Sequence, residues 1–326
     1  MSRIVDGYVF AAYNAAPSDL GRQPELEQEW YERLRNEPLI GGLELSFDGE
    51  LHERGAAWLS RLLSPEWKCL VTNIPGTLSR LQHDTAYGLA STSPDARAAA
   101  VADVLQLLDE VDRLNQAAAH QQVVGVELHS APRADVGASS VEALIESLVQ
   151  IVSSTAASGG SAAPHLVLEH ADALVPGQTP VKGFLGLGDE VAVARRVFER
   201  TGVEVGQGIN WGRSAIETRS ATGPRDHLAH LAKSQTLRGL TFSGVAGAGT
   251  GEGTAWHDTH RAAGEWDSLS ILSTDQIITS FESAAPADLW FTGVKVGAAA
   301  DAVTLEQRLA PGMATLELVA RCEPAR

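Results

Sequence analysis

The chain has 326 residues, 44% of them hydrophobic, with 25 basic against 41 acidic residues and a formal charge of −16. That length suits one α/β barrel or two modest domains. The acidic balance repels phosphate backbones and anionic membranes, so neither nucleic acid nor a membrane is an expected partner. Two cysteines, Cys69 and Cys322, cannot build a disulfide framework. The opening "MSRIVDGYVF" lacks a signal peptide's regions, and no apolar run approaches the roughly 18 residues of a membrane span, so a cytoplasmic location is expected.

Apolar runs recur along the chain with helical patterns between them. Strands are predicted within 4–14 and over 39–47, 68–75, 123–130, 165–170, 203–210, 237–245 and 289–297. Helices are predicted over 24–36, 52–63, 95–118, 139–154, 188–202, 225–235 and 274–284. The helix over 139–154 opens on Ser139 with Glu142 three residues on, a capping pattern. The helix over 188–202 ends on Gly202, and "TAASGGSAAP" (155–164) reads as a short flexible connection. Eight strands alternating with helices predict a single-domain (β/α)8 TIM barrel spanning 1–326, with a doubly wound open sheet as the structural alternative. Long loops at 76–94 and 246–268 are expected over the C-terminal mouth.

Alternation within the strands places the chemistry. In the second strand Leu43, Leu45 and Phe47 share one face, and Gly42, Glu44 and Ser46 the other. In the fourth, Val124, Val126 and Leu128 oppose Gly125, Glu127 and His129; in the fifth, Leu166 and Leu168 oppose Val167 and Glu169. In the eighth, Trp290, Thr292, Val294 and Val296 oppose Phe291, Gly293 and Lys295. The second set runs small, then polar, toward each strand's C-terminal end, where barrel active sites sit. The expected rim therefore holds Glu44, Asn73, Glu127, His129, Glu169, Asn210, Ser243 and Lys295, with Tyr13 or Asn14 from the first strand. Inward glutamates are costly to bury without a metal ion, a lysine or raised pKa values to balance them.

Glu127, Glu169 and Lys295 are the expected catalytic residues. Glu44, Asn73, His129, Asn210, Trp211, Arg213, Ser243 and His257 are the expected substrate contacts. Trp211 and Arg213 in "GINWGRSAIETR" suit stacking on a sugar and bonding its hydroxyls or a carboxylate, or else anchor the loop. "GVAGAGTGEGTAWHDTH" (244–260) is no phosphate loop, so no nucleotide cofactor is expected; His257 or His260 from it is a candidate to close onto substrate. "LQHDTAYGLAS" (81–91) is a second lid candidate.

Strands ending "VELHS" and "LVLEH" resemble the xylose-isomerase-like superfamily of TIM barrels, and more closely a branch of it known as a domain of unknown function. The resemblance implies a sugar isomerase or epimerase that abstracts a proton next to a carbonyl of a small carbohydrate, metal-assisted or lysine-assisted. Carbohydrate hydrolysis or elimination by paired glutamates, and non-catalytic sugar binding, are the alternatives; a homo-oligomer stays open. It also implies one divalent metal (manganese, magnesium or zinc) held by Glu, Asp, His and Glu from strands five to eight. Here those positions carry Glu169, Asn210, Ser243 and Lys295, so a rearranged set of Glu127, His129, Glu169 and His170 is the metal candidate. Adjacent residues 169 and 170 point to opposite faces of an ideal strand, so both reach one ion only if the chain bends there.

Overall fold

The structure is a computed structural model, and it describes residues 3–135, 137–157, 163–247 and 255–324. The expected connection at 155–164 and loop at 246–268 thus lie partly outside the described residues, at 158–162 and 248–254. The elements run β1 (Tyr8–Phe10), α1 (Pro24–Arg35), β2 (Ile40–Ser46), α2 (Ala56–Leu62), β3 (Cys69–Thr72), α3 (Ile74–Leu81), α4 (Pro94–Ala118), β4 (Val123–Leu128) and α5 (Val141–Ala157). There follow β5 (His165–His170), α6 (Leu187–Thr201), β6 (Val205–Asn210), α7 (Trp211–Thr218), α8 (Gly223–Ser234), β7 (Leu237–Phe242), α9 (Thr274–Ala284), β8 (Phe291–Val294) and α10 (Leu305–Cys322). The strands close in sequence order, β1 to β8, into a parallel barrel. Pairing of Val9 with Gly293 and Phe10 with Val294 joins the last strand to the first, which excludes the open sheet.

Three helices depart from the sequence reading. Helix α3 occupies 74–81, so the lid expected over 76–94 begins as helix and is loop only from residue 82 to the start of α4. Helix α7 starts immediately after β6 and spans only eight residues. Helix α10 continues through Pro311, a residue that ordinarily breaks a helical pattern. The following Gly312 lets the helix approach β1, because a Cβ there would sit 2.7 Å from Cζ of Phe10. The N-terminal cap of α5 is Ser140, whose Oγ accepts from the Ala143 N–H at 3.0 Å, and not Ser139.

Contacts divide the chain into two compact units. The first comprises Met1–Leu45, Leu62–Cys69 and Ile209–Arg326; the second comprises Ser46–Arg61 and Leu70–Gly208. In the first, Phe10, Trp30, Leu34, Phe242, Trp290 and Phe291 are buried. In the second, Val126, Leu128, Leu144, Ile151 and Leu168 are buried, and Phe184 packs with Ile74, Ala131 and Ala171. Among the described residues no helix is long and apolar enough to cross a membrane.

One glycine of β2 carries a sharp prediction. A Cβ on Gly41 would lie 1.5 Å from the backbone oxygen of Asp6, a contact no side-chain movement relieves. Gly41→Ala is expected to destabilise the protein by more than about 4 kcal/mol, in the range of severe backbone clashes. Chemical denaturation of the purified variant, or its failure to accumulate as soluble protein, measures this.

Candidate active site

The register of β4 against β5 sets up a polar pair in the second unit. Glu127 is the Cα partner of Val167 and Leu128 of Leu168. Two residues on, His129 comes alongside Glu169 on the same face as Glu127. His129 Nε2 lies 2.8 Å from Glu169 Oε2, and its Nδ1 lies 3.0 Å from Asn73 Oδ1. Asn73 ends β3, where its backbone N–H donates to the Glu127 carbonyl at 3.2 Å. Glu127, His129 and Glu169 are each at most 2% exposed.

This geometry constrains the protons. An amide oxygen only accepts, so Nδ1 of His129 carries hydrogen. The Nε2–Oε2 contact then requires one further proton, held either on the imidazole or on the carboxyl group. The pair is thus a buried acid/base couple sharing one mobile proton, with Asn73 fixing the ring. Gly208 of β6 packs closely against β5: a Cβ there would be 3.2 Å from Val167 Cγ1 and 3.8 Å from Glu169 Cα.

His170 belongs to the opposite face, and the expectation that it might share an ion with Glu169 is corrected here. Its Nδ1 lies 2.7 Å from Glu190 Oε2 on α6, and Glu190 Oε1 accepts from Ser130 Oγ at 2.6 Å. The chain does not bend to bring it round, because a fully buried carboxylate on the helix holds it. Asp172 braces the next loop. Its carboxylate accepts from the backbone N–H groups of Val181 (2.7 Å), Lys182 (2.9 Å) and Gly183 (3.4 Å). Asp172→Ala leaves those donors unsatisfied and is expected to cost about 1.5–3 kcal/mol, the scale of hydrogen bonds to a charged group, readable as a lowered denaturation midpoint.

In the first unit, Lys295 Nζ donates to Glu44 Oε1 at 2.6 Å, with the two side chains 1% and 3% exposed. Tyr13 Oη donates to the same oxygen at 2.9 Å, and the ammonium stands 5.4 Å from the centre of the Tyr13 ring. Burial, and then the Glu44 charge, push the Tyr13 pKa well above the usual phenol range, so Tyr13 remains a neutral donor. Glu44 is therefore the carboxylate that Lys295 balances.

Three expected substrate contacts serve the start of α7 instead. Asn210 is fully buried, and its side-chain oxygen accepts from the Arg213 N–H at 3.4 Å as the helix N-cap. Trp211 is fully buried at the first helical position, so it offers no face for stacking on a sugar. Arg213, 1% exposed, donates from Nε to Asp258 at 3.3 Å. Of the two loop histidines, His260 reaches strand β7: its Nδ1 lies 2.8 Å from Ser243 Oγ and 3.5 Å from Asp258 Oδ1. His257 is exposed. Ser243, His260 and Asp258 do not form a nucleophile triad, because hydroxyl and carboxylate meet the same ring nitrogen.

The four-residue metal set that the resemblance implies does not fit these side chains. Glu169 faces His129, Asn210 caps a helix, Ser243 binds His260, and Lys295 presents an ammonium, which donates hydrogen bonds and cannot ligate. His/carboxylate pairs of ligand type are present in each unit: His129 with Glu169 in the second, and His227 Nε2 at 3.7 Å from Glu217 Oε1 in the first.

The closed parallel barrel of eight strands is a (β/α)8 TIM barrel, similar in fold to xylose-isomerase-like proteins. Residues 9–311 match the family model described as a domain of unknown function, DUF4862, and the chain belongs to that family. A Salmonella typhimurium protein with the name "uncharacterized protein" is 33% identical over 292 residues, covering 89% of each chain. Among solved structures, D-psicose 3-epimerase superposes with a TM-score of 0.59 at 11% identity, over 96% of this chain and 97% of its own. A xylose isomerase domain protein of Planctomyces limnophilus gives 0.54 at 12% identity, over 99% and 98%. A 3-keto-D-glucoside 4-epimerase of E. coli gives 0.52 at 12% identity, over 97% of both. At these identities the likeness is one of fold.

Proposed function

We propose that this protein is a sugar isomerase or epimerase that moves a proton on the carbon next to a carbonyl of a small carbohydrate. The observation that carries the reading is the His129–Glu169 couple: a buried imidazole and carboxylate 2.8 Å apart, oriented by Asn73, at the C-terminal ends of adjacent strands. Glu169 takes the proton on Oε1 while His129 holds its Oε2, and Glu127 on the same strand face is the second carboxylate that return of a proton requires. The sugar epimerases among the structures of similar fold support the substrate class. For Lys295 in the first unit we propose the matching task of holding an oxygen that gains negative charge, since its ammonium is fixed by Glu44 and Tyr13 before substrate arrives. Substrate contacts proposed with the couple are Asn73 and His129; Glu44 is proposed with Lys295.

Proton abstraction of this kind passes through a planar enediolate, so a planar mimic should bind better than the sugar itself. A hydroxamate made from a four- or five-carbon sugar acid is expected to bind chelator-treated protein at least about 100-fold more tightly than the parent sugar. Equal affinities for the two would contradict an enediolate mechanism.

A further inference from the structure

Beside the His129–Glu169 couple, and sharing only Asn73 with it, lies a cleft of about 320 Å³ in the second unit. Phe47 and Asp48, just past β2, line it together with Asn73, Arg80 and His83 of the α3 region, Tyr87 and Asp103. The volume is that of a small-molecule site. We infer that this cleft is a subsite for an uncharged sugar ring, so that the substrate is a neutral glycoside of at least two rings and not a sugar phosphate. The inference rests on the proton-transfer reading for what happens at the His129–Glu169 couple. The cleft itself is argued from its own lining.

Arg80 is set in place. Its Nε and Nη2 donate to the two oxygens of Asp103 at 2.9 and 3.2 Å, which leaves Nη1 for a ligand. Tyr87 Oη donates to the same carboxylate at 2.8 Å, so Asp103 is spent inside the wall. Burial, reinforced by Asp103, pushes the Tyr87 pKa well up, and the phenol stays neutral. With Asp103 balanced by Arg80, the carboxylate of Asp48 remains. The lining therefore carries two aspartates against one arginine, a net negative sign with His83 counted as neutral.

That balance decides between ligands. A phosphate brought to Arg80 would meet Asp48 and compete with Asp103 for the guanidinium, and at this charge count it gains no net attraction. A hydroxylated neutral ring uses the same groups without that penalty. Asp48 accepts from hydroxyls, and Arg80 Nη1 and the Asn73 amide donate to them. Phe47 and Tyr87 add apolar atoms to the lining. Asn73 lines the cleft and its side chain bonds His129, so the cleft and the proton-transfer couple share a residue.

The test uses the full chain and defined probes: lactulose, isomaltulose and maltose as neutral disaccharides, and fructose 6-phosphate and glucose 6-phosphate as anions. Titration calorimetry and saturation-transfer NMR should show saturable binding of at least one disaccharide and weaker binding of both phosphates. Asp48→Asn and Arg80→Met should each weaken the bound disaccharide about tenfold or more, the loss of one hydrogen bond to a charged group. Asp48 is exposed, so its conservative variant reports on binding and not on folding. No binding of any of the three disaccharides, a Kd within twofold of wild type in Asp48→Asn, or tighter phosphate binding lost in Arg80→Met would overturn the inference, the last by making this an anion site. Glu169→Gln separates the two claims. It should keep disaccharide affinity if the cleft is a subsite, whatever becomes of proton exchange.

Discussion

Glu169→Gln is expected to slow proton exchange on the substrate by about 10²–10⁴-fold, the usual contribution of a positioned acid/base, with binding changed by no more than a few-fold. The amide keeps the shape of the carboxylate but cannot take a proton, and its oxygen or nitrogen still meets His129 Nε2 at hydrogen-bond distance. A fall in kcat with KM nearly constant is the signature of a group that acts in the transition state. His129→Gln should fall by a similar factor, and the double variant by little more than either single, because the two side chains work as one couple. Additive losses would mean that His129 and Glu169 serve separate steps.

Lys295→Met is expected to destabilise the protein strongly. It strips the ammonium from Glu44 and leaves a carboxylate 3% exposed with Tyr13 as its remaining named donor. Removing one partner of a buried pair costs about 3–5 kcal/mol, mostly from the charge left behind. The combined Glu44→Gln, Lys295→Met variant removes both charges and should recover most of that loss, although any oxygen-holding role of Lys295 stays lost. Denaturant titrations of the two singles and the double give the coupling directly. A loss below about 1 kcal/mol in Lys295→Met would show a pair screened as on a surface, and the balancing role assigned to Lys295 would fall.

The barrel was legible because each strand repeats one pattern, small then polar on the inward face, with aliphatic residues opposite. Periodicity of two locates Glu44, Glu127, His129, Glu169 and Lys295 on one set of faces before any coordinates are known. Partners are another matter. Whether Lys295 meets Glu44 or Glu169 depends on barrel register, which no local pattern encodes. The contact between β4 and β5 was the more readable one, since adjacent strands ending "VELHS" and "LVLEH" need only one register to bring His129 to Glu169.

Elsewhere local chemistry hid the answer. Pro311 and Gly312 mask α10, whose stability comes from a capping box of Thr304 with Gln307 and from close approach to Phe10. Asn210, Trp211 and Arg213 look like sugar contacts in sequence, yet a helix beginning directly after β6 consumes all three. Asn210 in front of a short amphipathic run was an available N-cap signal. The Arg80–Asp103–Tyr87 brace joins residues up to 23 positions apart, beyond any helical or strand period.

Movement of a proton at the carbon next to a carbonyl is read most directly by solvent-isotope wash-in. Wild-type protein incubated in D2O with a carbonyl sugar that it binds should place one deuterium on that carbon, as seen by NMR of the recovered sugar, and Glu169→Gln should abolish it. Turnover of the sugar to cleaved product with no deuterium incorporated would contradict the account and point to hydrolysis by the paired glutamates.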